Sequence, residues 1–465
     1  MSYQYHTAVV GSGSGGLTVA VGLSKLGKKV ALVERDQVGG DCTNVGCIPS
    51  KTLIHASLKV ESGDLTAVEA LALVRERRDH LREEETVWVR ELPGVDFLNG
   101  EARFLSPHSL SISPPQGEPF EISAKNVVLA TGSHPRYLDI PGLPHSTLLT
   151  NESIFDLTEP PGHLVIVGGG VIGLEMAFAF RRLGSQITLI DRGERLLKVS
   201  EPEVGELLKT RLENSQVAVH LNDTVESYSQ GTLKLSSGGR VSNVDKVLAA
   251  VGRQPNLDLD LERAGVTFDR RGVLTDQLGR TAAANVFAIG DINHRSAFTH
   301  SANHQGRRLN KKLAFPWLPD FAGSYHYPSA TFTQPEVAQV GPTLERLKES
   351  RHPKSIRTHL VALKDTDRGY TCGLEEGFVM LHAGVVSGRL LSATIVAPAA
   401  GEMISLLTMA VNRGMTLYQL SNLVFPYPVL SEAVKKAADE FVFGTLGNLP
   451  KELVCWLRFS LLGSR

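Results

Sequence analysis

The segment Gly39-Gly40-Asp41-Cys42-Thr43-Asn44-Val45-Gly46-Cys47-Ile48-Pro49-Ser50-Lys51 carries two cysteines with four residues between them. It follows an apolar stretch at residues 7–10, a glycine-rich turn and a second apolar stretch at residues 29–33. Short apolar stretches that flank a helical pattern are typical of parallel strands joined by a crossover helix. The order predicts an α/β fold in which a thiol pair comes directly after the first strand–helix–strand unit.

The glycine-rich turn reads Gly11-x-Gly13-x-x-Gly16 and lies between the first strand and a helix. Glycine permits the tight turn and a close approach to a pyrophosphate, and the helix N-terminus presents N–H groups and a positive dipole. Glu34, at the end of the second strand, is placed to accept hydrogen bonds from a ribose. An ordinary turn is the alternative for a lone glycine pattern, but the strand, turn, helix, strand and acid in this order favour a dinucleotide site.

The cysteine content favours redox chemistry over a structural role. The chain has four cysteines, and no hydrophobic signal segment precedes the first strand (Cys42, Cys47, Cys372, Cys455). We therefore expect a reducing, cytoplasmic location, where structural disulfides are rare. A zinc site would need four ligands, and the sequence has no second closely spaced cysteine pair, so we predict no metal site.

A helical pattern begins around the cysteine pair and continues past Pro49 and Lys51. The dipole of a helix that starts there is expected to lower a thiol pKa. A thiolate at this position would be both a nucleophile and an electron donor.

A second nucleotide-binding pattern begins near residue 164. An apolar strand leads into Gly168-x-Gly170-x-x-Gly173, a helix follows, and the next strand ends in Asp191. Two such patterns predict two bound dinucleotides.

Asp191 bears on the choice of nicotinamide cofactor. A carboxylate at the end of the strand favours the free ribose hydroxyls of NAD and repels a 2′-phosphate. Arg192 and Arg195 follow it, and arginines there are able to accommodate the 2′-phosphate of NADP. We expect NAD, with NADP as the alternative.

Together these segments resemble the pyridine nucleotide-disulfide oxidoreductases, which include dihydrolipoamide dehydrogenase, glutathione reductase and mercuric reductase. The resemblance runs from residue 7 to residue 445. It implies two Rossmann-like dinucleotide-binding domains, one for FAD and one for NAD(P), a C-terminal α+β dimerisation domain and a homodimer.

The resemblance also implies roles for individual residues. Cys47 matches the thiol that contacts the flavin, and Cys42 matches the thiol that exchanges with a substrate. Lys51 matches a lysine near the flavin N5 position, and Glu175 matches its partner. Asp291 matches the aspartate that holds the flavin's ribityl chain. Other positions match further cofactor-binding segments: Thr131, Gly132, Gly252 and Arg253.

The domain boundaries follow from these matches. We predict an FAD-binding domain at 1–148, an NAD(P)-binding domain at 149–275, a central flavin-contacting segment at 276–325, a dimerisation domain at 326–445 and a tail at 446–465. The net charge of −1 gives no electrostatic reason to expect a nucleic-acid partner.

The chain departs from the family at residues 425–432. Disulfide-active members carry His-x-His-Pro-Thr-x-x-Glu, whose second histidine is the general base for the other subunit. Here Tyr427 occupies that position, whereas the orienting carboxylate, Glu432, is retained. A phenol with a pKa of about 10 is a poor base compared with an imidazole at about 6.5. We therefore expect slow dihydrolipoamide oxidation.

Two further features keep the acceptor open. The Phe425-x-Tyr427 pattern resembles mercuric reductases, but those carry an adjacent cysteine pair at the C-terminus, where this chain has only Cys455. His300 is the nearest remaining imidazole candidate for proton transfer, with a packed histidine as the alternative.

The tail is apolar on much of its circumference between residues 449 and 462 and extends beyond the usual end of the family. Packing against the dimer is one interpretation. An interfacial membrane helix and a docking helix for a partner protein are the others.

These observations predict an enzyme that passes electrons from NADH through FAD to a Cys42–Cys47 disulfide and on to a small-molecule or protein disulfide or other electrophile. A mercuric-reductase-like metal-ion or quinone reductase is the enzymatic alternative. A redox-responsive or membrane-docked partner protein is the non-enzymatic alternative, and only the tail supports it.

Overall fold

A computed structural model describes residues 3–293, 295–319, 323 and 325–461 of the chain. The chain divides into two compact units, with residues 1–168, 179–190 and 223–324 in unit 1 and residues 169–178, 191–222 and 325–465 in unit 2.

The α-helices in chain order are α1 Ser14–Lys25, α2 Gly40–Asn44, α3 Cys47–Glu61, α4 Ala67–Arg90, α5 Val171–Arg182, α6 Pro202–Asn214, α7 Thr299–Ala314, α8 Leu344–Ser350, α9 Asp367–Thr371, α10 Ala400–Arg413, α11 Leu417–Ser421, α12 Glu432–Gly447 and α13 Leu449–Trp456. The strands are β1 Tyr5–Val10, β2 Val30–Glu34, β3 Val95–Asn99, β4 Glu101–Ser106, β5 Ser109–Ser113, β6 Phe120–Leu129, β7 Ser133–Pro135, β8 Leu148–Leu149, β9 His163–Val167, β10 Gln186–Ile190, β11 Ala218–His220, β12 Val225–Ser229, β13 Thr232–Leu235, β14 Arg240–Val241, β15 Lys246–Ala249, β16 Arg253–Pro255, β17 Phe268–Asp269, β18 Gly272–Val273, β19 Val286–Ala288, β20 Ser329–Thr331, β21 Glu336–Val340, β22 Ile356–Ala362, β23 Phe378–Gly384 and β24 Leu390–Ala397.

The first sheet of unit 1 has the strand order β3-β2-β1-β6-β5-β4, and β19 also pairs with β6. The pairs among β3, β2, β1, β6 and β19 are parallel, whereas β4, β5 and β6 pair antiparallel. Ala8, Val9 and Leu32 are fully buried, as expected for parallel strands covered on both faces. The carboxyl ends of β1 and β2 therefore meet at the edge where the first glycine-rich turn and Glu34 lie.

A second parallel arrangement in unit 1 has the order β10-β9-β15-β8. Val165, Ile190 and Val247 from these strands form a core with Leu233 and Leu235 of the antiparallel ribbon β12-β13-β14. The strand at residue 164 that was predicted from apolarity is thus the centre of a parallel sheet.

Gly11 and Gly168 open the turns that follow β1 and β9. Their φ angles are +100° and +118°, and a Cβ at these positions would overlap the carbonyl oxygens of Ala130 and Ala250, respectively. Only glycine combines such backbone angles with so close an approach. Both turns predicted from the glycine patterns are therefore present.

Unit 2 contains an antiparallel sheet with the order β20-β21-β24-β23-β22. Buried residues of the sheet pack against helices α10 and α12, as in the core formed by Leu381, Ile395, Leu407 and Phe441. Residues 326–445 thus form the α+β arrangement that the resemblance implies.

Candidate active site

A cavity of about 900 Å³ lies within unit 1, at the carboxyl ends of β1 and β2. The predicted site residues that line it are Gly11, Gly13, Glu34, Cys42, Cys47, Thr131, Gly132, Arg253 and Asp291. Gly16 is buried in α1 against the carbonyl of Gly11, and Lys51 is half-buried in α3. The cavity thus brings the first turn, the cysteine segment and three later segments of the chain together.

The cavity has the features that a dinucleotide needs. Helix α1 has Gly13 as its N-cap, without a side-chain cap or an acidic residue in the first turn, so its N–H groups suit a phosphate. Glu34 is nine-tenths buried, and its Oε2 accepts hydrogen bonds from the backbone and hydroxyl of Ser12, both at 2.8 Å. Among the described residues, the buried Asn44 Oδ1 has no hydrogen-bond partner. These groups fit FAD.

The two cysteines occupy successive helices. Cys42 lies in α2, and Cys47 is the first residue of α3, with Gly46 as its N-cap. The Cys42 side chain hydrogen-bonds to Cys47, and Thr299 Oγ1 lies 3.3 Å from Cys47 Sγ. The pKa of Cys42 is raised, first by the hydrogen bond with Cys47 and then by burial. For Cys42, the predicted lowering of a thiol pKa is therefore wrong, because these two effects act in the opposite direction.

Two further side chains adjust the acidity of Cys42. The hydrogen bond from Thr299 lowers the pKa of Cys42, whereas the charge of Glu85 raises it. Glu85 lies on α4, and its Oε2 accepts a 2.9 Å hydrogen bond from Thr43 Oγ1, next to Cys42. Burial raises the pKa of Glu85 itself. The sequence gives no signal for the role of either residue, because no local spacing connects them with the cysteines.

Arg253 connects the cysteine segment with Asp291. Its guanidinium forms an ion pair with Asp41 and donates to Ser133 Oγ at 2.7 Å. Ser133 Oγ in turn donates to Asp291 Oδ2 at 2.7 Å. Burial raises the pKa of Asp41, and the charge of Arg253 offsets part of that increase. The Asp41 partner of Arg253 was also missed from the sequence.

Asp191 lies beside the second glycine-rich turn in unit 2. Its Oδ2 accepts from the Gly169 N–H and its Oδ1 from the Gly193 N–H, both at 2.6 Å. A Cβ at Gly170 would meet no atom within 4 Å, and Gly173 lies in α5. The carboxylate is thus held at the end of β10 beside an open turn.

The two arginines that complicate the choice of nicotinamide have different surroundings. Arg192 is exposed. Arg195 is largely buried, and its Nη2 lies 3.3 Å from Glu345 Oε2. The charge of Arg195 is therefore compensated within unit 2.

Two other predicted positions, Glu175 and Gly252, accept hydrogen bonds from backbone N–H groups. Glu175 is buried in α5, and its Oε1 accepts from the Phe332 N–H at 3.0 Å within unit 2. Gly252 has a φ of +103° in unit 1, and its carbonyl accepts from the Arg136 N–H at 3.0 Å.

Tyr427 has the properties of a proton donor. It is 71% exposed, and its hydroxyl donates to Asp367 Oδ2 at 2.9 Å. That hydrogen bond and the charge of Asp367 raise the pKa of Tyr427. Glu432 begins α12, and its Oε2 is buried without a hydrogen-bond partner among the described residues. The other candidate, His300, stacks on Phe298 in unit 1 with ring centroids 5.2 Å apart.

The described part of the tail packs on its own chain. Glu452 of α13 forms a 2.7 Å ion pair with Arg357, and the Phe459 ring stacks on His352 at 4.0 Å. Residues 462–465 lie outside the described residues. Within the described ranges, we find no helix with both the length and the apolarity that crossing a membrane requires.

Comparison with known families identifies the chain. The profile of the pyridine nucleotide-disulphide oxidoreductases matches residues 5–306, and the profile of their dimerisation domain matches residues 327–438. The chain belongs to this family. The predicted fold class, with two Rossmann-like domains and a C-terminal dimerisation domain, is confirmed.

Relatives of this oxidoreductase include enzymes with different names. It is 33% identical to a mercuric reductase of Acidithiobacillus ferrooxidans over 94% of this chain and 83% of the relative. It is 31% identical to a dihydrolipoyl dehydrogenase of Geobacillus stearothermophilus over 93% of this chain and 95% of the relative. The structure of the HOCl-induced flavoprotein disulfide reductase RclA from Escherichia coli matches with a TM-score of 0.84 and 27% identity, over 94% of this chain and 99% of that one.

Membership in the family establishes the general activity. The chain is an FAD-dependent pyridine nucleotide-disulfide oxidoreductase, and its family uses FAD and NAD(P)H. The dimerisation domain implies a homodimer. This activity favours the enzymatic interpretation over the non-enzymatic one, which only the tail supported.

Proposed function

We propose that this oxidoreductase passes electrons from NADH through FAD to a Cys42–Cys47 disulfide and then to a disulfide or another electrophile. One observation carries the proposal: Cys42 and Cys47 line the same cavity as Glu34 and Asp291. When bound, FAD supplies the two-electron relay between the nicotinamide and the disulfide.

The chain's own residues hold the cofactors in this proposal. The α1 N-terminus and Glu34 bind the pyrophosphate and a ribose of FAD, and Asp291 binds the ribityl chain. Lys51 acts near the flavin ring, as the resemblance implies. Asp191 binds a ribose of the nicotinamide cofactor. Its carboxylate, held by two backbone N–H groups at 2.6 Å, supports NADH over NADPH.

The thiols carry the substrate half of the reaction. The Cys42 thiolate attacks one sulfur of an acceptor disulfide, forms a mixed disulfide and releases the first thiolate. The Cys47 thiolate then attacks Cys42 Sγ, which restores the Cys42–Cys47 disulfide and releases the second thiolate. The acceptor gains two electrons, and two protons complete the two product thiols. The Thr299 hydroxyl, 3.3 Å from Cys47 Sγ, stabilises negative charge there.

Tyr427 supports reduction of an acceptor over oxidation of a dithiol. A phenol whose pKa is raised keeps its proton at neutral pH and can donate it to a leaving thiolate. It cannot efficiently remove a proton from an incoming dithiol. The same feature supports the second candidate, a metal-ion or quinone reductase of the mercuric-reductase type, because such an acceptor brings no thiol proton to remove.

The flavin and the dithiol are tested together by spectroscopy. We expect the purified protein to be yellow with one FAD per chain. Anaerobic two-electron reduction should give a long-wavelength charge-transfer band, and Cys42→Ser should show the band without added reductant. A colourless protein, or a reduced wild type without the band, would contradict the proposal.

The acceptor is tested by steady-state NADH oxidation with lipoamide, glutathione disulfide, Hg(II) and quinones. Turnover with a disulfide that is abolished in both Cys42→Ser and Cys47→Ser supports the first candidate. Turnover confined to Hg(II) or quinones supports the second.

A further inference from the structure

The contacts of Arg253 surround the short segment that contains Cys42. The guanidinium forms an ion pair with Asp41, the residue directly before Cys42. Its Nε donates to Ser133 Oγ at 2.7 Å, and its Nη2 donates to the Ser133 carbonyl at 2.6 Å. A planar guanidinium bound through several of its N–H groups has little freedom to rotate. Arg253 is therefore a rigid support for Asp41.

A second branch of contacts reaches the other end of the same segment. Arg253 Nη1 donates to Asn151 Oδ1 at 3.3 Å, and Asn151 Nδ2 donates to the Val45 carbonyl at 3.1 Å. The Val45 N–H donates to the Asp41 carbonyl at 2.9 Å. Residues 41–45 are thus held at both ends by groups that converge on one arginine.

The ion pair between Arg253 and Asp41 offsets the negative charge of nearby carboxylates. Asp41 is close enough to Asp291 and Glu152 for each of these carboxylates to raise its pKa. Arg253 Nε lies 3.9 Å from Asp291 Oδ2, so one guanidinium serves two carboxylates of the cavity. Without Arg253, these carboxylates would raise the pKa of Asp41 further, and the ion pair that holds Asp41 beside Cys42 would be lost.

We propose that Asp41 and Arg253 form a positioning pair that keeps Cys42 in register with Cys47 and with the proposed flavin site at Asp291. The inference rests on the proposed function, because it concerns how the Cys42–Cys47 pair meets the flavin. It assigns to Arg253 a role toward the substrate thiol, in addition to the cofactor-binding position implied by the resemblance.

The pair is tested by the reactivity of Cys42 in reduced, full-length holoenzyme. The variants are Asp41→Asn, Arg253→Met and the double variant, with Arg253→Lys as the conservative change. Arg280→Met is the matched control, because Arg280 also pairs with an aspartate of unit 1, Asp276, at 2.9 Å. Iodoacetamide alkylation of Cys42 is followed by peptide mass spectrometry with fragments that separate it from Cys47, and the charge-transfer absorbance is recorded in parallel.

We expect each single variant to change the Cys42 alkylation rate by about threefold to tenfold and to weaken the charge-transfer band. The double variant should resemble the single variants, because either change removes the same contact. Arg253→Lys, which keeps the charge without the planar fork, should fall between wild type and Arg253→Met. The alkylation rate and the band of Arg280→Met should match those of wild type.

Two results would overturn the pair. One is an alkylation rate and band in Asp41→Asn, a nearly isosteric change, that match those of the Arg280→Met control. The other is effects of the single variants that multiply in the double variant. Failure of the proposed function has a different signature, since it appears in wild type as absence of FAD or of the band. Cys42 alkylation in flavin-free protein still reports on the pair in that case.

Discussion

The pKa of Cys42 depends strongly on the residues around it. A Cys47 hydrogen bond and burial raise its pKa, Thr299 lowers it, and Glu85 raises it further. A thiol with a raised pKa is mostly protonated at neutral pH, and its reactivity increases as the pH rises toward the pKa. If Cys42 attacks the acceptor as proposed, these neighbours set the pH at which the attack is fast.

Substitution of Glu85 and of Thr299 should shift this pH dependence in opposite directions. Glu85→Gln removes a negative charge, so the alkylation profile of Cys42 should move to lower pH. Thr299→Val removes a hydrogen-bond donor to the thiolate, so the profile should move to higher pH. Iodoacetamide alkylation between about pH 5 and pH 10 measures both shifts.

Glu84→Gln is the matched control for this experiment, because Glu84 is an exposed neighbour on the same helix, paired with His80 at 3.4 Å. Its profile should match wild type. Shifts of the same sign in Glu85→Gln and Thr299→Val would show that one of the two residues does not act on the pKa of Cys42 as predicted.

In the proposed function, Tyr427 limits the dithiol-oxidising direction. Because its pKa is raised through Asp367, it is a poor base near neutral pH. Tyr427→His should increase the rate of dihydrolipoamide oxidation by about 10²-fold. The half-buried Glu432 is available to orient the new imidazole. The rate of flavin reduction by NADH should stay nearly the same in stopped-flow measurements.

Tyr427→Phe tests whether the Tyr427 hydroxyl takes part in dihydrolipoamide oxidation. We expect it to leave the slow dihydrolipoamide oxidation of wild type nearly unchanged. Fast oxidation by wild type that Tyr427→Phe does not affect would mean that another group handles the proton, and His300→Gln would be the next variant to examine.

At the scale of single elements, the proposed function assigns the choice of nicotinamide to Asp191 at the end of β10. Asp191 is fixed by two backbone N–H groups, and the compensated Arg195 leaves Arg192 as the exposed arginine beside it. We expect kcat/KM for NADH to exceed that for NADPH by at least about tenfold, or about 1.4 kcal/mol. Asp191→Ala should narrow the gap, and Glu194→Ala, an exposed acid of the same loop, should preserve it. Equal kcat/KM values for NADH and NADPH in wild type would mean that the arginines, and not Asp191, determine the cofactor preference.

The turn that links β13 to β14 donates hydrogen bonds to Asp223, which lies just before β12 and has a strongly lowered pKa. Burial opposes ionisation of Asp223, but hydrogen bonds from the Ser237 and Ser236 hydroxyls and from backbone N–H groups outweigh it and lower the pKa from 3.8 to about 2. The folded pKa is below the unfolded one, so the stabilisation is fully present above pH 3.8 and disappears as the pH falls through about 2.

Asp223→Asn should therefore lower the free energy of unfolding by about 1–2 kcal/mol at neutral pH. Urea unfolding measures the difference, which should shrink as the pH falls below about 4. Glu226→Gln, at an exposed pair with Lys234 nearby, should show at most a few tenths of a kcal/mol. A difference that stays constant down to acidic pH would show that Asp223 does not stabilise the fold through its charge.

At the scale of the whole molecule, the tail is the part that the family does not explain. Its described residues pack on residues 352–357 through the Glu452–Arg357 ion pair and the Phe459–His352 stack. We expect truncation after Asn448 to lower the thermal midpoint while the homodimer and its FAD content are preserved. Sedimentation with anionic lipid vesicles should be the same for both lengths. Vesicle binding by the full chain that is lost on truncation would instead support the membrane interpretation.

The sequence by itself determined the fold class and the position of the thiol pair at the start of a helix. Gly11 and Gly168 were predictable because a turn with positive φ and a close carbonyl leaves only glycine, so the requirement is local and visible in the chain. The start of a helix at the cysteine pair was also predictable, because a helical pattern and two cysteines in one short segment need no distant partner. The substitution at Tyr427 was likewise visible by comparison with the family motif.

Only the tertiary structure decided what surrounds the thiols. Asp41 meets Arg253 across more than two hundred residues of sequence, and Thr299 meets Cys47 across a similar distance. Such contacts arise from the way the sheet and helices fold together, and no periodicity or spacing records them. The same reason explains why the predicted lowering of a thiol pKa does not hold for Cys42: the helix N-terminus is a local feature, whereas the neighbouring thiol and burial act only in the folded chain.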